Sequence, residues 1–154
     1  MLIFRIENDR KDGIYNLISG GQYEKFGGDN KNDELYHLHH PSPFNDLLIS
    51  KWWTKLYRYC EHLDYRFAFK DVDQLLDWFP IESLKQLQER QEKRAKRFGE
   101  EYCSFGVSIY SVNKQHCKIG ERQAVFKFKE ARLVKKYSFV DFIEMHSEEV
   151  QIAA

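Results

Sequence analysis

The chain has 154 residues, with 24 Lys and Arg balanced by 24 Asp and Glu, so its net charge is zero. That length suits one domain around a single core, and the charge balance excludes both a grip on nucleic acid by bulk positive charge and its imitation by acidity. Aromatic residues make up 16% of the sequence against only 8 Gly and 3 Pro, the composition of a packed domain. Cys60, Cys103 and Cys117 share no CxxC spacing, so neither a disulfide framework nor a thiolate zinc site is indicated, and a reducing cytoplasm is expected.

The opening segment MLIFRIENDRK has too short an apolar run for a signal peptide, and no stretch approaches a membrane span, so no membrane contact is expected. Within it Leu2, Phe4 and Ile6 alternate with Ile3, Arg5 and Glu7, which predicts a strand. Residues 8–46 are rich in Gly, Asn and Asp without periodicity and read as a long loop. Loops of that length are usually functional or mobile. Pro41 and Pro43 make HPSP a turn.

Residues 49–63 place Trp52, Leu56, Tyr59 and Leu63 at helical spacing. A short strand over 65–69 follows, and Asp71 is placed to cap a helix whose buried side is Leu75, Leu76 and Phe79 and which Pro80 stops. Residues 81–99 predict a long helix with a thin stripe of Leu84, Leu87, Gln91 and Phe98. Strands are expected over 104–112, 122–128 and 132–139, and the acidic segment 140–154 is a tail or a short docked helix. The expectation is therefore an α+β fold: a single domain over 1–139, with a mixed or antiparallel sheet built from early and late strands and helices between them.

Three groups of residues could carry chemistry. In ELYHLHH, His37 and His39 lie two apart on an extended segment and could share a metal with Asp46, but two imidazoles and one carboxylate leave the coordination incomplete, so no metal is expected. His39 and His40, beside the rigid HPSP turn, are instead candidate binding residues. Arg90, Arg94 and Arg97, with Lys93 beside them, form a basic stripe on one helical face that could receive a partner, although Glu89, Glu92, Glu100 and Glu101 nearby also fit a solvated face. The third group is Glu121-Arg122-Gln123, a polar triplet opening an apolar strand. Alternation there sends Gln123, Val125 and Lys127 to a less buried face and Phe126 and Phe128 to the core, and a buried Gln123 amide would bond loop backbone such as the HPSP turn.

The runs LIFRIEN, HPSP, FAFKDVDQLLDWF, VSIYSV and GERQAVF together resemble a group of small phage and prophage proteins with a YRIE-like start, an aromatic strand before a WF-ending helix and a GxxQVVF strand. The resemblance covers 2–134 and implies a phage or prophage origin; the leading expectation is a protein of the bacterial cytoplasm that binds a host macromolecule, a host protein before a nucleic acid, through the long early loop and the basic helix, in an anti-defence or host-takeover role. More distantly the chain resembles the ADP-ribosyltransferase fold, with Arg5 on the first strand, 65–79 as the middle strand and helix, and Glu121-x-Gln123 in place of an E-x-E triplet. That resemblance implies NAD as cofactor and Arg5, Glu121 and Gln123 as candidate catalytic residues. Gln123 stands where a carboxylate would steady a developing cation, and RFAFKD lacks Ser-Thr-Ser, so the implied site is catalytically degenerate. Binding is the favoured class, with no cofactor expected, and an enzyme the alternative.

Overall fold

The structure is a computed structural model in which residues 1–14, 42–99 and 105–153 are described. Strand β1 (Leu2–Glu7) is followed by α1 (Ser50–Arg58), β2 (Tyr65–Ala68), α2 (Val72–Trp78), α3 (Ile81–Phe98), β3 (Gly106–Val112), β4 (Cys117–Ile119), β5 (Ala124–Lys127), β6 (Ala131–Ser138) and α4 (Phe139–Ala153). The strands form two three-stranded sheets, in the orders β1-β3-β6 and β2-β5-β4. Early and late strands therefore share a sheet, and the fold is α+β.

By contact the described residues divide into two compact units, one of 1–5, 42–78 and 109–134, the other of 6–14, 79–99, 105–108 and 135–153. In the first, β5 is the middle strand and runs antiparallel to both neighbours, with Phe67 opposite Val125 and Cys117 opposite Phe126. Its residues are buried on both faces. Phe126 packs with Ile3, Ala68, Tyr110 and Val112, while Val125 packs under Ile49, Trp53 and Leu56. The face expected to be less buried is thus covered by α1, because side chains alternate across the strand and a helix lies over the side that the sequence leaves looking mixed.

Helix α1 ends earlier than its spacing predicts. Cys60 takes a φ of 58°, a left-handed conformation that stops the helix, and the chain resumes as a 3-10 turn over Glu61–Asp64. This break takes Tyr59 and Leu63 off the inward stripe and leaves them 64% and 66% exposed. Trp53, one position from the predicted Trp52, is buried instead. Asp71 does cap α2, its carboxylate accepting from the Gln74 amide at 2.8 Å. Strand β4 is not apparent in KQHCKIG, since three residues interrupted by Lys118 carry little strand signal of their own and are held by pairing with β5.

In the second unit α3 packs against α4, burying Leu84 and Leu87 on one helix and Phe139, Phe142 and Ile143 on the other. Gln91 sits in the apolar stripe for a reason. Its Oε1 accepts from the Phe105 amide at 2.7 Å and its Nε2 donates to the Phe105 carbonyl at 3.3 Å, so one side chain satisfies both main-chain groups of the residue entering β3. Just beyond, Gly106 lies against the Tyr137 carbonyl, where a Cβ would collide. Replacing Gln91 with Leu keeps the volume and removes both bonds, so it is expected to lower unfolding free energy by about 1–3 kcal/mol. Urea denaturation measures this, and a variant as stable as wild type would show that the Gln91 bonds contribute nothing.

Candidate functional site

The polar triplet after Gly120 is held by Asp46, a residue 99% buried that follows a turn over 43–45. Its carboxylate accepts from the amides of Glu121 at 3.1 Å, Arg122 at 3.4 Å and Leu48 at 3.2 Å. Its main-chain carbonyl accepts from Ile49 and Ser50, at 3.1 and 2.8 Å, and so starts the first turn of α1. Gly120 lies so close to this carboxylate that a Cβ would overlap it. Gln74 completes the cluster. Its Nε2 donates to the carbonyls of Gly120 and Glu121 at 3.4 Å each, while its Oε1 accepts from the Lys70 amide at 2.9 Å.

Gln74 therefore donates and accepts between loops, a role of the kind expected of Gln123. Gln123 is buried at 4% exposure, and its carbonyl accepts from the Gly120 amide at 2.7 Å, closing the turn. Glu121 is exposed, with its main chain fixed by Asp46 and Gln74. Arg5 is buried in β1, and its Nη1 donates to the Phe67 carbonyl at 2.6 Å. One residue before it, Phe4 exchanges both main-chain bonds with Phe69. Main-chain groups of alternate strand residues face the same edge, so Arg5 continues by side chain the stitch that Phe4 makes along the outer edge of β2. The three candidate catalytic residues are each engaged with main chain.

Of the candidate binding residues, His39 and His40 lie outside the described residues, together with His37, Cys103 and the side chain of Phe98. Arg90 and Arg94 are half-buried and Arg97 is exposed, all on α3. No three His, Cys, Asp or Glu side chains gather as a metal site among the described residues. Burial pushes the Cys117 thiol up to about 11, against a weaker opposing pull from the chain's N-terminal ammonium, so it is a neutral thiol at physiological pH.

The sequence did not single out an exposed aromatic band around α1. Aromatic rings run in contact from Phe44 to Tyr57 at 5.3 Å, Tyr57 to His62 at 4.4 Å, His62 to Trp53 at 5.9 Å and Trp53 to Phe67 at 5.5 Å. Trp53 is the buried member of this band, while Phe44, Tyr57 and Phe67 are 45%, 53% and 41% exposed. Leu47, Leu48 and Leu63 add 79%, 57% and 66% exposed aliphatic side chains from the adjoining turns. The break in helix α1 at Cys60 puts Leu63 there, which periodicity could not show.

A family model described as the bacteriophage T4 Y00F protein matches residues 1–140. The chain belongs to that family. No curated protein and no solved structure matches it, so the resemblance to the ADP-ribosyltransferase fold gains no support, while that to small phage proteins does. The span shared with the Y00F family holds the Asp46 cluster, the aromatic band and the arginines of α3. Among the described residues no helix is long and apolar enough to cross a membrane. In this Y00F family member, Asp46→Ala leaves three amides without their acceptor and is expected to lower stability by about 2–4 kcal/mol. Thermal or urea unfolding measures the change, and a loss under about 0.5 kcal/mol, the level of an ordinary surface substitution, would remove Asp46 from its linking role.

Proposed function

We propose that this phage protein acts by binding a host protein in the bacterial cytoplasm, and that the aromatic and aliphatic band around α1 is its main contact surface. The observation that supports this is the exposure of Phe44, Leu47, Leu48, Tyr57 and Leu63 together on one short stretch of chain. Grouped apolar side chains of this size mark interaction sites more often than they occur on an isolated surface, and aromatic side chains anchor interface hot spots. Arg90, Arg94 and Arg97 of α3, and His39 and His40 outside the described residues, are further contact candidates in the same reading.

An NAD-dependent, ADP-ribosyltransferase-like site would need Arg5, Glu121 and Gln123 turned to a common ligand, and would draw Arg5 from the Phe67 carbonyl that its Nη1 engages. The binding reading asks for no such rearrangement.

Affinity capture from a bacterial lysate tests the proposal. Wild type is expected to retain one host protein, and a Leu47→Ser, Leu63→Ser variant to lose it while melting within a few degrees of wild type, as surface substitutions do. Full retention by that variant would take the band out of the interface, and loss of retention by Arg90→Glu, Arg94→Glu, Arg97→Glu alone would move it to α3. In parallel Gln123→Glu should release no nicotinamide from NAD; release above wild type would favour the enzymatic reading.

A further inference from the structure

The outward face of α1 carries a charge pattern that its own fold does not use. Lys51, Lys55 and Arg58 are exposed, and at about 100° per residue they fall within about 60° of one another, opposite the buried Trp53 and Leu56. None of the three makes an ion pair among the described residues, and α1 itself contains no acidic residue. Lys55 and Arg58 stand in the last turn, where cations complement the helix dipole. Lys51 stands in the first turn, where a cation is unfavourable, so helix stability does not account for it. Apolar side chains surround the stripe: Leu47 and Leu48 precede it, Tyr59 follows, and Tyr57, about 100° around the helix from Arg58, is in ring contact with Phe44. Glu61 and Asp64, both exposed, lie on the 3-10 turn past its C-terminal end.

We infer that this face receives an acidic amphipathic segment of a host protein, whose apolar side chains seat on Phe44, Leu47, Leu48 and Tyr57 and whose carboxylates meet Lys51, Lys55 and Arg58. The inference rests on the host-protein reading above and specifies the chemistry of the partner. Apolar anchors laid in a row beside complementary charge are the usual terms of amphipathic-segment recognition, and the charge selects the partner and speeds encounter more than it adds affinity. A nucleic acid fits less well. Phe44, Tyr57 and Tyr59 offer rings, but Leu47 and Leu48, the apolar side chains next to the stripe, offer none for a base to stack on, three cations neutralise few phosphates, and nucleic-acid interfaces are polar. Glu61 and Asp64 bound the basic stripe, so the partner's carboxylates are confined to the length of α1.

The test uses the full chain and three labelled probes followed by fluorescence anisotropy. Two are helical peptides of roughly 20 residues with the same leucines at i, i+3, i+4 and i+7 and either Glu or Lys at the polar positions; the third is an oligothymidylate of similar length. The Glu peptide is expected to bind at least about tenfold more tightly than the Lys peptide, to weaken as salt is raised, and to lose its advantage in Lys51→Glu, Lys55→Glu, Arg58→Glu. That variant alters exposed positions alone, and an unchanged melting temperature shows that it is folded. Equal affinity for the two peptides, no binding of either, or tighter binding of the oligothymidylate than of the Glu peptide would each overturn the inference. The parent reading fails separately, when wild type captures no host protein; failure with the peptides beside a retained host protein removes the acidic chemistry and leaves the binding role.

Discussion

A single buried carboxylate connects the pieces of this molecule that carry its surface. Asp46 accepts the amides of Glu121 and Arg122 with its side chain, and those of Ile49 and Ser50 with its main chain. A buried carboxylate is costly unless donors surround it, and here main-chain amides, which only a proline substitution would remove, provide that environment. The arrangement fixes where α1 begins relative to the turn before β5, and the two also meet through Val125 packed under Ile49, Trp53 and Leu56. Gly120 follows from the same constraint, because any side chain there would occupy the space of the carboxylate.

Fixing α1 in this way has a consequence for the surface. Once Trp53 and Leu56 are inward, the remaining large residues of the segment have nowhere to go but out, and Tyr57, Tyr59 and Leu63 are left more than half exposed. A domain that needed them for stability would bury them; each buried side chain of this size contributes about 1.5–3 kcal/mol. Their exposure, beside a basic stripe that makes no ion pair among the described residues, is the observation from which the proposed binding role starts. The family assignment gives this surface a setting, since the matched span includes it.

Much of the architecture is legible in the sequence because it rests on local signals. The alternation of LIFRIE, the Asp71 cap, the stop at Pro80 and the stripe of Leu84, Leu87 and Gln91 are each a short-range pattern with one structural solution. What was hidden depends on contacts distant in sequence. Asp46 reads as a possible metal ligand beside histidines, and nothing local says that its donors are 75 and 76 residues away. Gln74 reads as one more polar position of a short helix, and nothing local says that its amide reaches carbonyls 46 and 47 residues away. The left-handed Cys60 is not a glycine, so the break that exposes Leu63 gives no compositional sign.

Amide hydrogen exchange of Glu121 and Arg122 tests the linking role of Asp46 most directly. Glu121 is exposed and belongs to no strand, so without the Asp46 carboxylate its amide would exchange at nearly the rate of an unstructured chain. The account predicts protection of both amides by at least about tenfold, lost in Asp46→Ala at temperatures where β5 stays protected. Exchange of both amides at the unstructured rate in the wild-type protein would contradict it.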